Sequence, residues 1–258
     1  MTILINNGIH PGESDGIDAT MMLFRDYASG KIKSPKNTVL VTIPVYNIGG
    51  ALNRNSTTRT NQNGPESYGF RGNARNYDLN RDFIKADTLN ARTFMDIFHA
   101  VNPDIFIDNH TSNGADYQYT MTLIASQHNK LDPHLAKYLN DRLLPYVYKD
   151  MKARDWEMTP YVYARSTPDE GIIEFLDLAR YSSGYAALHN TIAFMPETHM
   201  LKPYKDRVES TYHFMDSMIK LMHTDHQLIA EAKAKAIENT KTNINHLYLK
   251  RYVKNKRF

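Results

Sequence analysis

The sequence predicts one α/β domain with a mixed, mostly parallel sheet of about six to eight strands and helices on both faces. Short apolar runs alternate along the chain with stretches of helical periodicity, which is the pattern of strands joined by helices. The apolar runs are continuous rather than alternating, as is typical of strands that are covered on both faces. With 258 residues, of which 41% are hydrophobic and 23% charged, the chain can bury such a core.

The individual elements follow from these patterns in chain order. Strands are expected at residues 3–6, 39–45, 105–107, 121–125 and 192–195. Helices are expected at residues 18–27, 89–101 and 206–239. In the last helix, apolar side chains recur at spacings of three and four, at Val208, Tyr212, Met215, Ile219 and Met222. That spacing predicts a helix face that packs on the core.

Charge is distributed unevenly along the chain. Of 31 basic and 28 acidic residues, six basic and no acidic ones lie in 241–258, which leaves 25 basic and 28 acidic residues in 1–240. We therefore divide the chain into a domain at 1–240 and a basic segment at 241–258, either a tail or the lead into a further segment. Because the domain itself is not basic, nucleic acid is not an expected partner. No apolar run approaches the ~20 residues of a membrane span, and the sequence leaves the oligomeric state open.

The chain contains no cysteine, which excludes disulfides and thiolate ligands. A metal ion would therefore be held by His, Asp and Glu. The first expected strand begins at residue 3, and no signal peptide precedes it. We expect an upstream segment to lie outside this chain, and with it any export signal of a periplasmic or extracellular protein.

Two polar motifs directly follow predicted strands. His10-Pro11-Gly12-Glu13 comes after the first strand, and Asp108-Asn109-His110 comes after the strand at 105–107. Taken singly, a surface turn or a structural histidine explains each motif as well as a ligand does. Open α/β sheets bind ligands at the carboxyl ends of their strands, so the two motifs together predict one shared site. Three protein ligands would leave the fourth coordination position of zinc for water.

A third strand end carries a carboxylate, in Met195-Pro196-Glu197-Thr198-His199. Glu197 is suited to take a proton from a metal-activated water. A salt bridge between Glu197 and an arginine is the alternative. His199, two residues later, is a rival metal ligand.

Residues 46–81 form a long stretch rich in Asn, Gly, Arg and Thr, which is typical of a functional loop. Asn80 and Arg81 place amide and guanidinium donors side by side, which suits the binding of a carboxylate. Arg71, nine residues earlier, adds a cation suited to an oxyanion beside a metal. A solvated, charged loop is the alternative explanation.

The order and spacing of these motifs resemble the zinc metallocarboxypeptidase (funnelin) family, in a bacterial form. Asp-Leu-Asn-Arg-Asp-Phe at 78–83 is similar to the form found in the carboxypeptidase N/E-like branch of that family. The matching part covers residues 3–200 of this chain, with these elements in order: His10-x-x-Glu13, Arg71 nine before Asn80, His110 and Glu197.

The resemblance implies a zinc carboxypeptidase-like fold with one zinc ion per chain, held by His10, Glu13 and His110. It also implies that Glu197 is the general base toward a zinc-activated water and that Arg71 polarises the scissile carbonyl. The implied reaction is hydrolysis of the C-terminal peptide or amide bond of a substrate with a free carboxylate. Ordinary peptides and cell-wall peptides are the implied substrates.

The resemblance further implies that Asn80 and Arg81 bind the terminal carboxylate of the substrate. The mobile tyrosine of the family corresponds first to Tyr181 and second to Tyr185, because both lie shortly before the catalytic glutamate. The chain has no recognisable residue that selects a substrate side chain.

Two alternatives share these residues. The aspartoacylase and succinylglutamate desuccinylase relatives cleave N-acyl amino acids, and they also join His-x-x-Glu to Asp-Leu-Asn-Arg and a strand-end His-Thr, here His110-Thr111. A non-catalytic homologue that binds peptide ends would keep the same cleft without the reaction.

Overall fold

The fold is seen in a computed structural model, which describes residues 1–164 and 166–242. Its strands are β1 (Thr2–Asn7), β2 (Val39–Ile43), β3 (Ile105–Ser112), β4 (Met121–Ala125), β5 (Met158–Pro160), β6 (Val162–Ala164), β7 (Ile172–Glu174) and β8 (Ile192–His199). Its helices are α1 (Asp15–Ala28), α2 (Ile48–Leu52), α3 (Leu89–Val101), α4 (Pro133–Tyr138), α5 (Leu144–Ala153), α6 (Ser182–Ala187) and α7 (Tyr204–Thr242).

Within these ranges, six strands form one mixed sheet in the order β2-β1-β3-β8-β4-β5. The first four run parallel, β4 is antiparallel to β8, and β5 is parallel to β4. β6 and β7 form a separate antiparallel hairpin. The predicted fold class, a mixed and mostly parallel sheet with helices on both sides, is confirmed.

The four central strands, β1, β3, β8 and β4, are buried on both faces, as the continuous apolar runs predict, whereas the edge strand β2 is partly exposed. Ile3 and Ile5 of β1 belong to one core cluster, whereas Leu4 between them belongs to the other. The first core packs under α1, α7, α4 and α5. The second is rich in aromatic residues and lies under α3 and α6. Strand side chains alternate between faces, so an apolar residue at every position requires a cover on each side.

The helix predicted at 206–239 is present as α7, and four residues of its apolar stripe are buried: Val208, Met215, Ile219 and Met222. α7 continues to Thr242, and residues 243–258, which make up most of the predicted basic segment, lie outside the described residues. Among the described helices, including this 39-residue one, none combines the length and apolar character needed to cross a bilayer.

Several elements were not predicted from the sequence, for local reasons. β5, β6 and β7 have three residues each, too few to establish a periodicity. The helical stretch from α4 to α5 is interrupted by π-helical residues Leu139–Leu143, which break the 3.6-residue period. β2 ends at Ile43, two residues earlier than expected, because Pro44 follows and has no N–H to donate to the sheet.

The aromatic cluster under α3 centres on Phe94, which is 1% exposed. Its ring centroid lies 5.1 Å from that of Phe83 and 5.6 Å from that of Phe106. Phe94→Ala should lower the free energy of unfolding by about 3–5 kcal/mol, because the substitution leaves a cavity between these rings. Denaturant unfolding measures this loss. Leu89→Ala, at a side chain 77% exposed on the same helix, should leave stability nearly unchanged.

Candidate metal and active site

The carboxyl ends of three neighbouring parallel strands converge on one site. His10 lies three residues after β1, His110 lies in β3, and Glu197 lies in β8. The register of β3 against β8 pairs His110 with Glu197, so these two side chains are adjacent on one face of the sheet. The three strand-end motifs therefore lie together in the fold, as the sequence predicts.

His10, Glu13 and His110 form a buried group whose ligand atoms all lie within 4.8 Å of one another. Nδ1 of His10 is 3.0 Å from Glu13 Oε1, and Nδ1 of His110 is 3.0 Å from Glu13 Oε2. Two imidazole nitrogens and a carboxylate are a donor set that zinc prefers. These residues therefore fit a zinc ion.

Gly12 lies in the turn between His10 and Glu13, and it lets other residues of the chain approach this turn closely. A Cβ atom at Gly12 would lie 2.7 Å from Arg59 Cδ and 2.9 Å from the Gly69 carbonyl oxygen. The absent side chain thus lets the 46–81 segment pack directly against the turn that carries His10 and Glu13.

A carboxylate orients each histidine from behind. Nε2 of His10 is 2.9 Å from Asp78 Oδ1, and Nε2 of His110 is 2.9 Å from Asp108 Oδ2. Each carboxylate accepts a hydrogen bond from Nε2, which leaves Nδ1 of the ring for a metal. Neither aspartate was expected in this role from the sequence. For Asp108 a signal existed, since residues two apart on a strand share a face.

These carboxylates make the site attractive to positive charge. Burial by itself lowers the pKa of His110, but the Asp108 carboxylate and the hydrogen bond to Glu13 raise it well above its ordinary value. Burial likewise opposes ionisation of Asp78, but His10 and Arg71 hold the pKa of Asp78 below its ordinary value. The donor set therefore stabilises a cation at its centre.

Two guanidinium groups flank Glu13. Arg59 Nη1 donates to Glu13 Oε1 at 2.9 Å, and Arg59 Nη2 donates to the Thr111 carbonyl oxygen at 2.7 Å. Arg71 Nη1 lies 3.5 Å from the same Glu13 oxygen, and its Nη2 donates to Asp78 Oδ2 at 2.9 Å. Arg71 was expected in the site from the sequence and Arg59 was not, because nothing in the spacing of the long loop distinguishes Arg59.

A cavity of about 240 Å³ joins the donor group to the other predicted site residues. Asn80, Arg81, Tyr181 and Glu197 all line it, as do the three metal-binding candidates. Asp78 Oδ1 accepts from the Asn80 N–H at 3.0 Å, which fixes the turn that presents Asn80 and Arg81. Asn80 Oδ1 is buried and has no hydrogen-bond partner among the described residues.

Glu197 lies in this cavity in a setting that disfavours its charge. Burial and the neighbouring Glu13 carboxylate raise the pKa of Glu197 to about 7, although His110 opposes the shift. A carboxyl group with this pKa can both accept and return a proton near neutral pH.

The structure separates the two candidate tyrosines and sets His199 apart. Tyr181 lines the cavity, and the Arg81 guanidinium carbon lies 4.7 Å from its ring centroid. Tyr185 is packed in the aromatic core, with its ring 5.9 Å from that of Phe83. His199 lines a second cavity of about 420 Å³, which adjoins the first and shares His10 and Arg71 with it. His199 is not part of the donor group of His10, Glu13 and His110.

Solved structures share this architecture. A metallo-carboxypeptidase from Burkholderia cenocepacia superimposes with a TM-score of 0.62 at 16% identity, over 87% of this chain and 57% of that one. A metallo-carboxypeptidase from Pseudomonas aeruginosa, in complex with (2-guanidinoethylmercapto)succinic acid, gives 0.60 at 15%, over 89% and 58%. The chain has the metallo-carboxypeptidase fold. The fold implied by the sequence resemblance is thus confirmed.

The same fold occurs in a variant of the cell shape determinant protein Csd4 from Helicobacter pylori, with a TM-score of 0.56 at 15% identity, over 85% of this chain and 50% of that one. This chain spans less than two thirds of the length of each of these three proteins. No protein-family model and no curated protein matches the sequence.

His110→Ala should abolish stoichiometric zinc binding, because it removes one of the three candidate ligands and leaves Asp108 and Glu13 without their shared partner. Metal analysis after dialysis against zinc, together with calorimetric titration, measures this. Tyr181→Phe serves as the control and should bind as much zinc as the wild type. Full zinc binding by the His110→Ala protein would remove this residue from the site.

Proposed function

We propose that the protein is a zinc-dependent carboxypeptidase that releases the C-terminal residue of a peptide or cell-wall peptide. One observation carries the proposal: a single cavity is lined by a zinc-type donor group, a carboxyl group with a raised pKa, and adjacent amide and guanidinium donors. These are the groups that peptide hydrolysis next to a free carboxylate needs.

In this proposal, His10, Glu13 and His110 hold one zinc ion per chain. A bound zinc ion supplies a Lewis acid that polarises a carbonyl group and lowers the pKa of water to ~7. Asp78 and Asp108 support this role, because they keep Nδ1 of each histidine directed to the centre of the donor group.

Glu197 acts as general base and then as general acid. It removes a proton from the attacking water and later delivers that proton to the leaving amine. Its position beside His110 in the register of β3 and β8 places it next to the donor group. Burial favours the protonated form of this carboxyl group, which supports the return of the proton to the leaving amine.

Arg71 stabilises the oxyanion that forms when water adds to the carbonyl. Its side chain is 47% exposed, and Nη1 lies 3.3 Å from His10 Nδ1, at the edge of the donor group. Two hydrogen bonds to Asp78 Oδ2, from Nε and Nη2, hold the guanidinium in place. A donor that is positioned in advance stabilises developing charge without reorganisation.

Asn80 and Arg81 bind the terminal carboxylate of the substrate, with Tyr181 beside them. Arg81 stacks on Tyr181, and the Tyr181 hydroxyl accepts a hydrogen bond from Arg180 Nη2 at 2.9 Å. Because these donors line the same cavity as Glu197, they favour an exopeptidase over an enzyme that cuts within a chain.

One wall of the cavity is apolar and aromatic, and this wall favours an apolar C-terminal side chain. Its charged residues belong to the donor group, to Glu197 or to the two arginines Arg71 and Arg81. The rest of its wall includes an apolar and aromatic cluster made up of Ile124, Tyr161, Phe175, Tyr181 and Met195. A basic side chain would be desolvated there without a carboxylate of its own.

Two other functions remain as outcomes of the same tests. The His110-Thr111 pair points to N-acyl amino acid hydrolases. The Thr111 hydroxyl, however, is already engaged in a structural contact, because it donates to buried Asp15 at 2.6 Å. The adjoining 420 Å³ cavity offers room for a peptide on the acyl side of the scissile bond. A non-catalytic peptide-binding homologue would bind the same substrates without releasing product.

Glu197→Gln should lower kcat for peptide hydrolysis by ~10²–10⁴, because the amide cannot accept the proton of the attacking water. Zinc content should stay at one per chain, since Glu197 is not a ligand in this proposal. Release of the C-terminal amino acid is followed by chromatography, and zinc is measured on the same samples. Undiminished turnover would exclude Glu197 as the base.

A substrate panel tests the reaction and its preference together. Peptides ending in Phe or Leu should be hydrolysed faster than the same peptides ending in Lys or Asp. The panel also includes a cell-wall peptide and two N-acyl amino acids, N-acetyl-aspartate and succinyl-glutamate. In competition, 2-benzylsuccinic acid should inhibit at least about tenfold more strongly than (2-guanidinoethylmercapto)succinic acid, because the guanidinium lacks a buried partner. Faster cleavage of the N-acyl amino acids would favour the amidohydrolase.

A further inference from the structure

We propose that Asn6 is a positioning residue of the metal centre, acting through Asp108 on His110. This inference rests on the zinc site of the proposed function. Asn6 lies in β1, is fully buried, and pairs in register with Asp108 of β3. The two side chains therefore lie side by side on one face of the sheet, with His110 two residues further along β3 on the same face.

Three consecutive contacts join Asn6 to the ligand group. Asn6 Nδ2 donates to Asp108 Oδ1 at 3.0 Å, and Asp108 Oδ2 accepts from His110 Nε2 at 2.9 Å. His110 Nδ1 then meets Glu13 Oε2 at 3.0 Å. Both oxygens of Asp108 are thus engaged, one by Asn6 and one by the imidazole.

Asp108 needs this second donor because its environment offers no solvent. Its side chain is 0% exposed, and Leu4 and Phe106, two residues earlier on the same face of each strand, are fully buried apolar residues. A buried carboxylate oxygen without a donor is costly, and the carboxylate would rotate to share one donor between two oxygens. Such a rotation would move the acceptor that holds His110 in place.

An asparagine amide suits this position because it donates without adding charge. A lysine or arginine here would place another cation near the metal and weaken its binding, and an aspartate would add a second carboxylate against Asp108. Asn6 therefore sets the geometry of Asp108 and leaves the charge of the cluster unchanged.

Asn109 supplies a matched control within the same pair of strands. It is 2% exposed, and it lies one residue further along β3, so its side chain lies on the opposite face. Its Nδ2 donates to Asn7 Oδ1 at 2.7 Å. Removing the Asn109 amide thus removes a buried hydrogen bond of the same kind without touching Asp108.

The experiment compares the zinc dissociation constants of the wild type, Asn6→Ala and Asn109→Ala by competition with a chromophoric chelator. Asn6→Ala should bind zinc about tenfold more weakly, at the lower end of the usual loss for an outer-shell partner, because Asp108 itself stays beside His110. Asn109→Ala should stay within about threefold of the wild type. The visible spectrum of the Co²⁺-loaded protein should change in Asn6→Ala only, because the His110 ring is no longer fixed.

Unchanged zinc affinity in Asn6→Ala, or an equal loss in both variants, would overturn the proposal, since the effect would then be absent or merely structural. If Asn6→Ala does not fold, Asn6→Leu retains the side-chain volume and removes the donor in the same comparison. In the wild type, zinc should shift the side-chain amide resonances of Asn6 more than those of Asn109, and the opposite result would also overturn the proposal. A wild type that binds no zinc would instead refute the proposed function itself.

Discussion

The buried carboxylate of Glu13 is the charge around which the site is organised. It is 4% exposed, both histidines approach it through Nδ1, and the Thr111 N–H donates to Oε2 at 3.0 Å. Arg59 adds a charge-assisted hydrogen bond to Oε1. A buried charge is tolerated only with such partners, so the turn after β1, the end of β3 and the 46–81 segment are all held at one point. A divalent cation would meet donors that already converge.

The 46–81 segment is ordered by side chains rather than by long helices or strands. Asn47 donates to the carbonyl oxygens of Ile9 and Arg71, at 3.1 and 3.2 Å, and so links the start of the segment and its later part at Arg71 to the turn that carries His10. Asp78 bonds to His10 and to Arg71. Side-chain hydrogen bonds therefore position this long loop against the residues that follow β1, which a site of fixed geometry requires.

A second buried network supports the strand ends from behind. Oδ2 of Asp15 accepts hydrogen bonds from the hydroxyls of Thr111 and Thr198, each at 2.6 Å, and lies 3.4 Å from Arg207 Nε. Burial raises the pKa of Asp15 above its ordinary value, and Arg207 opposes that shift. Thr111 follows His110 and Thr198 follows Glu197, so this network ties the two strands together one residue beyond the groups proposed to act on the substrate. Arg207 extends the tie to the start of α7.

The sequence by itself determined the fold class, the strands that end at the site, and the donor group. The reason is that apolar runs mark buried strands, and the polar residues after them mark where each strand reaches the site. Only the tertiary structure decided which partners those residues have. Asp78 is 68 positions away from His10, and Asn6 is 102 positions away from Asp108. Tyr181 precedes α6 in an extended conformation and reaches the cavity, while Tyr185 within that helix turns to the core. Local periodicity describes one element at a time, whereas these contacts depend on how separate elements pack.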